Sequence, residues 1–141
     1  MTPSVVALHQ SPRRGERDAL ERATLTAGAG LDGDRHAKPG SRRALLLMEH
    51  ETLDRLGLAP GRVSEQITVR GVDLHGLAHG NRLQIGETTL ELTVLCEPCE
   101  RMDAIRPGLR QELDGRRGRF VRVIRGGAVA VGDPIEVRPP L

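Results

Sequence analysis

A chain of 141 residues with one phenylalanine and no tryptophan or tyrosine is long enough to bury a single core without disulfides, but must build it from aliphatic side chains. The longest apolar run, Ala44 to Met48, is far too short to cross a bilayer, and no basic stretch followed by an apolar segment opens the chain, so one cytoplasmic domain over 1–141 with reduced thiols and no membrane partner is expected. The net charge is +2 with Lys38 the only lysine; arginine suits phosphate or carboxylate, whereas the missing aromatic platforms argue against a nucleic-acid partner.

In chain order, Ser4 to Leu8 reads as a first strand, and the polar stretch Gln10 to Arg22 carries no clear period. Glu49 to Leu56 places Leu53 and Leu56 on one side of a short helix. Alternation of period two marks strands at Ile67–Val69, at Leu83–Ile85 running into a turn at Gly86-Glu87, and at Leu90–Val94. Two further short helices are predicted over Glu100–Ile105 and Leu109–Leu113. Phe120–Ile124 and Ala128–Val131 flank Gly126-Gly127, which reads as a hairpin turn, and Ile135 and Val137 mark a last strand. A mainly β fold with short helices, closed or partly closed as a barrel, follows.

Four segments carry chemistry. Cys96-x-x-Cys99 follows a strand and precedes a helical turn. It lacks the second pair that a zinc site needs, and it reads either as a dithiol redox pair or as two buried, inert cysteines. In Gly30-Leu31-Asp32-Gly33-Asp34-Arg35-His36 two glycines permit a sharp turn whose N–H groups, with Asp34, Arg35 and His36, can meet an anionic or heterocyclic ligand. Glu65 and Gln66 stand where a strand begins, and the Gln66 amide offers both a donor and an acceptor to a ring edge. Gly115-Arg116-Arg117-Gly118-Arg119 is either a phosphate clamp or a solvated loop.

The order of these segments resembles the MOSC domain, the module named for the C-terminal part of molybdenum cofactor sulfurase. The matching pieces run from about Gly30 to Val137: Gly30-Leu31-x-Gly33-Asp34-x-His36, Pro60-Gly61-x-x-x-Glu65-Gln66-Ile67, Gly71-Val72-Asp73-Leu74, Gly80-x-x-Leu83-x-Ile85-Gly86, Cys96-x-Pro98-Cys99, Gly115-Arg116-x-Gly118 and Gly126-Gly127. The resemblance implies a MOSC-type β-barrel that binds a molybdenum cofactor of the molybdopterin type. It implies that Cys99 matches the family's cysteine, either as a ligand to molybdenum in reductases of N-hydroxylated compounds or as a persulfide carrier in sulfur transfer, with Cys96 at best a helper. Cofactor contacts are expected from Gly33, Asp34, Arg35, His36, Glu65, Gln66, Cys96 and Arg117. Gln66 departs from the Glu-Asn usual in the family by one methylene. Covalent pyridoxal phosphate is not expected, since Lys38 is the only candidate for a Schiff base. The cofactor or small-molecule substrate would be joined by an electron-donor or sulfur-donor protein. The rivals are a thiol–disulfide oxidoreductase using both cysteines and a non-catalytic binding barrel.

Overall fold

The computed structural model describes residues 2–141. Its strands are β1 (Ser4–Gln10), β2 (Asp18–Leu20), β3 (Arg22–Thr26), β4 (Gly30–Leu31), β5 (Leu45–Glu49), β6 (Ile67–Arg70), β7 (Arg82–Ile85), β8 (Thr88–Leu95), β9 (Arg119–Arg125), β10 (Gly127–Ala130) and β11 (Ile135–Arg138). Helices α1 (His50–Arg55), α2 (Glu100–Ile105) and α3 (Leu109–Glu112) are short. The expected mainly β fold with short helices is present. One sheet has the order β11-β7-β8-β9-β5-β6-β1-β2, and a second has the order β10-β3-β4.

The expected closed barrel is corrected: both sheets are open. The start of β1, next to the β2 end of the large sheet, meets the segment that leads into β11 through the isolated bridge Ser4–Pro134 and the bonds Val5 N to Asp133 O at 3.0 Å, Gly132 N to Val5 O at 2.8 Å and Ile135 N to Pro3 O at 2.8 Å, without a continuous ladder between named strands. Proline has no N–H to extend a ladder there. The Gly126-Gly127 hairpin is also corrected, because β9 pairs with β8 and β5 while β10 pairs with β3. The chain changes sheets at this point. A Cβ on Gly126 would lie 2.5 Å from Leu25 O, so the glycine serves a close backbone crossing. The Gly86 turn between β7 and β8 does form a hairpin, with Gly86 at φ +56°.

Strand β5 carries the apolar run Ala44–Met48, which has no period because the strand is buried on both faces. It lies between β6, to which it is parallel, and β9, to which it is antiparallel. Leu45 and Leu47 enter the main core with Val5, Ile67 and Leu90, whereas Met48 joins Leu53, Val63, Met102, Leu109 and Leu113 in a second core with residues of all three helices. This second core anchors α2 at the end of β8, directly after the cysteines.

Glu49 ends β5 and is 4% exposed. Its Oε1 accepts from Thr52 Oγ1 at 2.9 Å and Arg116 Nη1 at 3.3 Å, and its Oε2 accepts from Leu74 N at 2.9 Å and lies 3.0 Å from His75 Nδ1. Burial opposes its charge, but His75, Thr52 and Arg116 together outweigh it and hold the carboxyl down to about 2, from an ordinary 4.5. A lowered carboxyl stabilises the fold above its ordinary value and ceases to do so as pH falls through the folded one, so about 3 kcal/mol should be lost between pH 4.5 and 2. Thermal melts across that window are expected to show a steep decline for the native chain. Glu49→Gln should be destabilised at pH 7 and decline less between pH 4.5 and 2.

Candidate functional site

Two adjoining cavities open on the face where β1, β5 and β6 meet their loops. The first, of about 330 Å³, includes His9, Arg17, Asp34, Arg35, Glu65 and Gln66 in its lining. The second, of about 620 Å³, includes Cys96, Cys99, Met102, Arg117 and Phe120. Arg17, His36, Arg62, Ser64 and Gln66 line both and form the passage between them. Ser64 adopts a left-handed φ of +70°, the only residue other than glycine to do so among those described, and its Oγ accepts from Arg17 Nη2 at 2.8 Å. That unfavourable conformation at the passage is held by surrounding structure.

Asp34, 6% exposed, is the hub of the first cavity. Its Oδ1 accepts from Ser11 N at 2.7 Å, and its Oδ2 accepts from His36 N at 3.0 Å and Gln66 Nε2 at 3.1 Å, with His36 Nδ1 at 2.9 Å. Gln66 Oε1 in turn accepts from Leu46 N at 2.7 Å. The β1–β2 loop, the turn after β4 and the β5–β6 pair are thereby tied at one carboxylate. A proton on His36 Nδ1 satisfies this contact and leaves Nε2 as the ring nitrogen not engaged by Asp34.

Several of the expected contact residues have partners within the protein. Gln66 was expected to meet a ring edge, but its carbonyl and one N–H are spent on Leu46 and Asp34. Gly33 lines neither cavity; at φ +88°, a Cβ there would lie 2.6 Å from Gln10 Oε1, so its role is to admit Gln10. Arg35 is exposed at the rim of the first cavity, with Nε 3.3 Å from Ser11 Oγ.

The three neighbouring arginines meet three different ends. Arg116 is exposed and pairs with Glu49. Arg119, 4% exposed, donates to the carbonyls of Thr93, Leu74 and Leu77 at 2.7–2.9 Å and serves as a strut. Arg117 is 7% exposed and lines the cavity of the cysteines, yet its buried Nε and Nη1 meet no hydrogen-bond acceptor among the described residues. A guanidinium in that state keeps donors that nothing within the described residues satisfies, and leaving a buried charge unpaired is costly. The lining of this cavity contains five arginines against the two glutamates Glu97 and Glu100.

Both cysteines are free thiols in the same cavity. Cys99 is exposed and begins α2 in an extended conformation. Cys96 is half-buried, and its N donates to Gly118 O at 2.9 Å, which ties its backbone to the turn that presents Arg117. Burial pushes the Cys96 thiol up, against the pull of Arg117 and Arg43. Sequence reasoning did not single out His9, Arg17, Arg43, Arg62 or Ser64. Arg17 lies in the stretch without period, and the others become neighbours only through the β1–β6 and β5–β6 pairings.

A family model, described as the MOSC domain, matches residues 32–136. The chain belongs to the MOSC domain family. No curated protein sequence matches it. Among solved structures, YuaD from Bacillus subtilis is 22% identical with a TM-score of 0.78, covering 97% of this chain and 96% of that one. YiiM from Escherichia coli is 21% identical with a TM-score of 0.75, covering 100% and 71%. YiiM from Geobacillus stearothermophilus is 15% identical with a TM-score of 0.67, covering 98% and 74%. These likenesses establish a shared fold. The family is one associated with the molybdenum cofactor.

The different surroundings of the two thiols give a direct expectation. Under limiting iodoacetamide at pH 8, mass spectrometry should find Cys99 alkylated well before Cys96 in this MOSC protein. Equal labelling, or Cys96 first, would contradict the burial of Cys96 against the exposure of Cys99.

Proposed function

We propose that the cleft binds a molybdenum cofactor of the molybdopterin type, with Cys99 as the protein's sulfur and Arg117 as the partner of an anionic group. The observation that carries this reading is the buried guanidinium of Arg117, without an acceptor on Nε and Nη1, in one cavity with an exposed thiol. The residues present fit such a group. A soft, polarisable thiolate suits a soft-ligated metal or a bound sulfur atom, and the arginine-rich wall suits a phosphate-bearing tail. The cavity of about 620 Å³ lies within the range that small-molecule and cofactor sites occupy.

When bound, such a cofactor supplies two-electron redox chemistry at molybdenum. The chain's own residues do the rest. Arg117 holds the anion, and the Cys96–Gly118 bond keeps Arg117 and the Cys99 loop in register. The arginines around the cleft raise the local concentration of anionic ligands. Reduction of an N-hydroxylated compound would draw electrons from a donor protein. Carriage of sulfur as a Cys99 persulfide is favoured as a second use by the exposure of Cys99, which leaves it open to a sulfur-donor protein. Cys96 assists either use by position, since its raised thiol is a poor nucleophile at neutral pH.

Protein purified from a molybdenum-replete host is expected to carry molybdenum and pterin, measured by metal analysis and by fluorescence of the oxidised pterin. Cys99→Ser should lose the metal, Arg117→Met should lose both by at least tenfold, and Cys96→Ser should lose little. Cyanide release of sulfane sulfur from Cys99 would mark the carrier role. Absence of metal, pterin and sulfane sulfur from the native chain, with reconstitution also failing, would overturn the reading.

A further inference from the structure

His75 lies in the loop between β6 and β7, outside both cavities of the cleft, and its side chain is 5% exposed. Its Nε2 accepts from Gly118 N at 2.9 Å. A ring nitrogen that accepts must keep its lone pair, so the proton of the neutral ring sits on Nδ1, 3.0 Å from Glu49 Oε2. That second contact is a charge attraction more than a bond, because Nδ1 does not point along a good hydrogen-bond line to the carboxylate. Gly118 is bound on its other side as well. Its carbonyl accepts from Cys96 N at 2.9 Å, and at φ +122° a Cβ on it would lie 2.8 Å from Leu47 O. The residue before it is Arg117. One imidazole lone pair therefore helps to hold the turn that joins the arginine of the cleft to the strand end leading to Cys99.

Two neighbours make opposite demands on this ring. The Gly118 amide requires the neutral form, whereas the Glu49 carboxylate at the end of β5 favours the imidazolium. Glu49 keeps its charge throughout the range in which a histidine titrates, since its carboxyl is held at about 2. A second proton on the ring goes to Nε2, where it sets an N–H against the N–H of Gly118 and breaks the bond. The neutral ring is thus the form that holds the turn, and the hold is lost as the ring gains its proton on falling pH. Other charges stand close by. Asp73, on the same loop, favours the imidazolium, while Arg116 and Arg119, which flank Arg117 and Gly118, oppose it. Arg116 Nη1 lies 3.3 Å from Glu49 Oε1 and 4.0 Å from Asp73 Oδ1, and Arg119 Nη1 is engaged by Leu74 O at 2.9 Å and Leu77 O at 2.7 Å. Glu51 of α1 is engaged by Gly71 N at 2.7 Å, at the start of the loop.

We infer that His75 is a proton-sensitive latch on the cleft, a positioning residue that holds the Arg117–Gly118 turn when neutral and releases it when protonated, so that the cleft holds anions less well as pH falls. The effect on anions rests on the reading of Arg117 as the anion partner. The latch itself rests on the His75–Gly118 bond.

The test titrates the full, isotope-labelled chain from pH 8 to pH 5 and follows it by NMR. The ring of His75 and the amide of Gly118 should change with one shared midpoint. His75→Gln puts an acceptor that does not titrate where Nε2 stands, and its Gly118 amide should stay still over the same range. Sulfate, whose charge is constant across these values, is the probe of the cleft. The ratio of native to His75→Gln sulfate affinity should fall about fivefold from pH 8 to pH 5, as expected for one lost hydrogen bond. His9 and His36, which line the cavities, titrate in both proteins and cancel in that ratio. A Gly118 amide that ignores the titration of His75, or a His75 ring still neutral at pH 5, overturns the latch from the native chain alone, without any variant having to fold. A shared midpoint with an unchanging sulfate ratio overturns the control of the cleft by the latch. No sulfate binding by the native chain at any pH overturns the anion reading beneath it, and the shared midpoint then still decides the latch.

Discussion

A guanidinium 7% exposed, with two buried nitrogens lacking acceptors, is the constraint on which the site depends. Arg117 does not drift to solvent because the turn around it is fixed on three sides. Gly118 donates its N–H to His75 Nε2 at 2.9 Å, and its carbonyl accepts from Cys96 N at 2.9 Å. At φ +122° a Cβ on Gly118 would lie 2.8 Å from Leu47 O, so only glycine lets the turn press against β5. His75 in turn lies against the buried Glu49. An acidic anchor at the end of β5 thus positions, through one imidazole and one glycine, the basic group that lines the cleft.

The rest of the cleft follows from two more buried carboxylates, each with a different share of its oxygens committed. Asp34 is saturated and acts as a tie between segments, which is why His36 and Gln66 have fixed orientations. Glu65 is half-committed: its Oε2 accepts from Gly61 N and Thr68 Oγ1, and its Oε1 is buried without a donor among the described residues. Buried polar groups are normally satisfied within the protein. Of the residues with buried, unmet side-chain atoms among those described, Arg117, Glu65 and His9 line the two adjoining cavities, whereas His50 and His75 do not.

Much of this was legible in the sequence where one face of a strand is buried and the other is not. The alternation of Leu90, Leu92 and Val94 located β8, although Val94 is itself 55% exposed where the strand outruns its core. Strand β5 was hidden because burial on both faces erases period two, leaving Ala44–Met48 as a bare apolar run. The Gly126-Gly127 pair showed that the backbone turns sharply, but its partner strand is a tertiary choice that local chemistry does not encode. Ordered motifs pointed to Cys99, Glu65 and Arg117, which the fold places in the lining of the two adjoining cavities. Of the three arginines the resemblance took Arg117 alone as a cofactor contact; the partners that tie up Arg116 and Arg119, among them Glu49, Leu74 and Thr93, are distant in sequence and appear only in the fold. Gln66 looked like a ligand group for the same reason: its partners Leu46 and Asp34 reach it only through the fold.

If Arg117 is retained for a ligand and not for the fold, replacing it should help the empty protein and harm only binding. Replacement of a buried, unpaired charge by an apolar group of similar length is stabilising when no partner is left behind. Thermal unfolding of cofactor-free protein, with and without inorganic phosphate, measures both effects at once. Arg117→Met is predicted to melt roughly 3–6 °C above the native chain, as expected for about 1 kcal/mol, and to gain nothing from phosphate, whereas the native chain is stabilised by it. An Arg117→Met protein that melts below the native chain and is still stabilised by phosphate would contradict the assignment of Arg117 as the anion partner of this cleft.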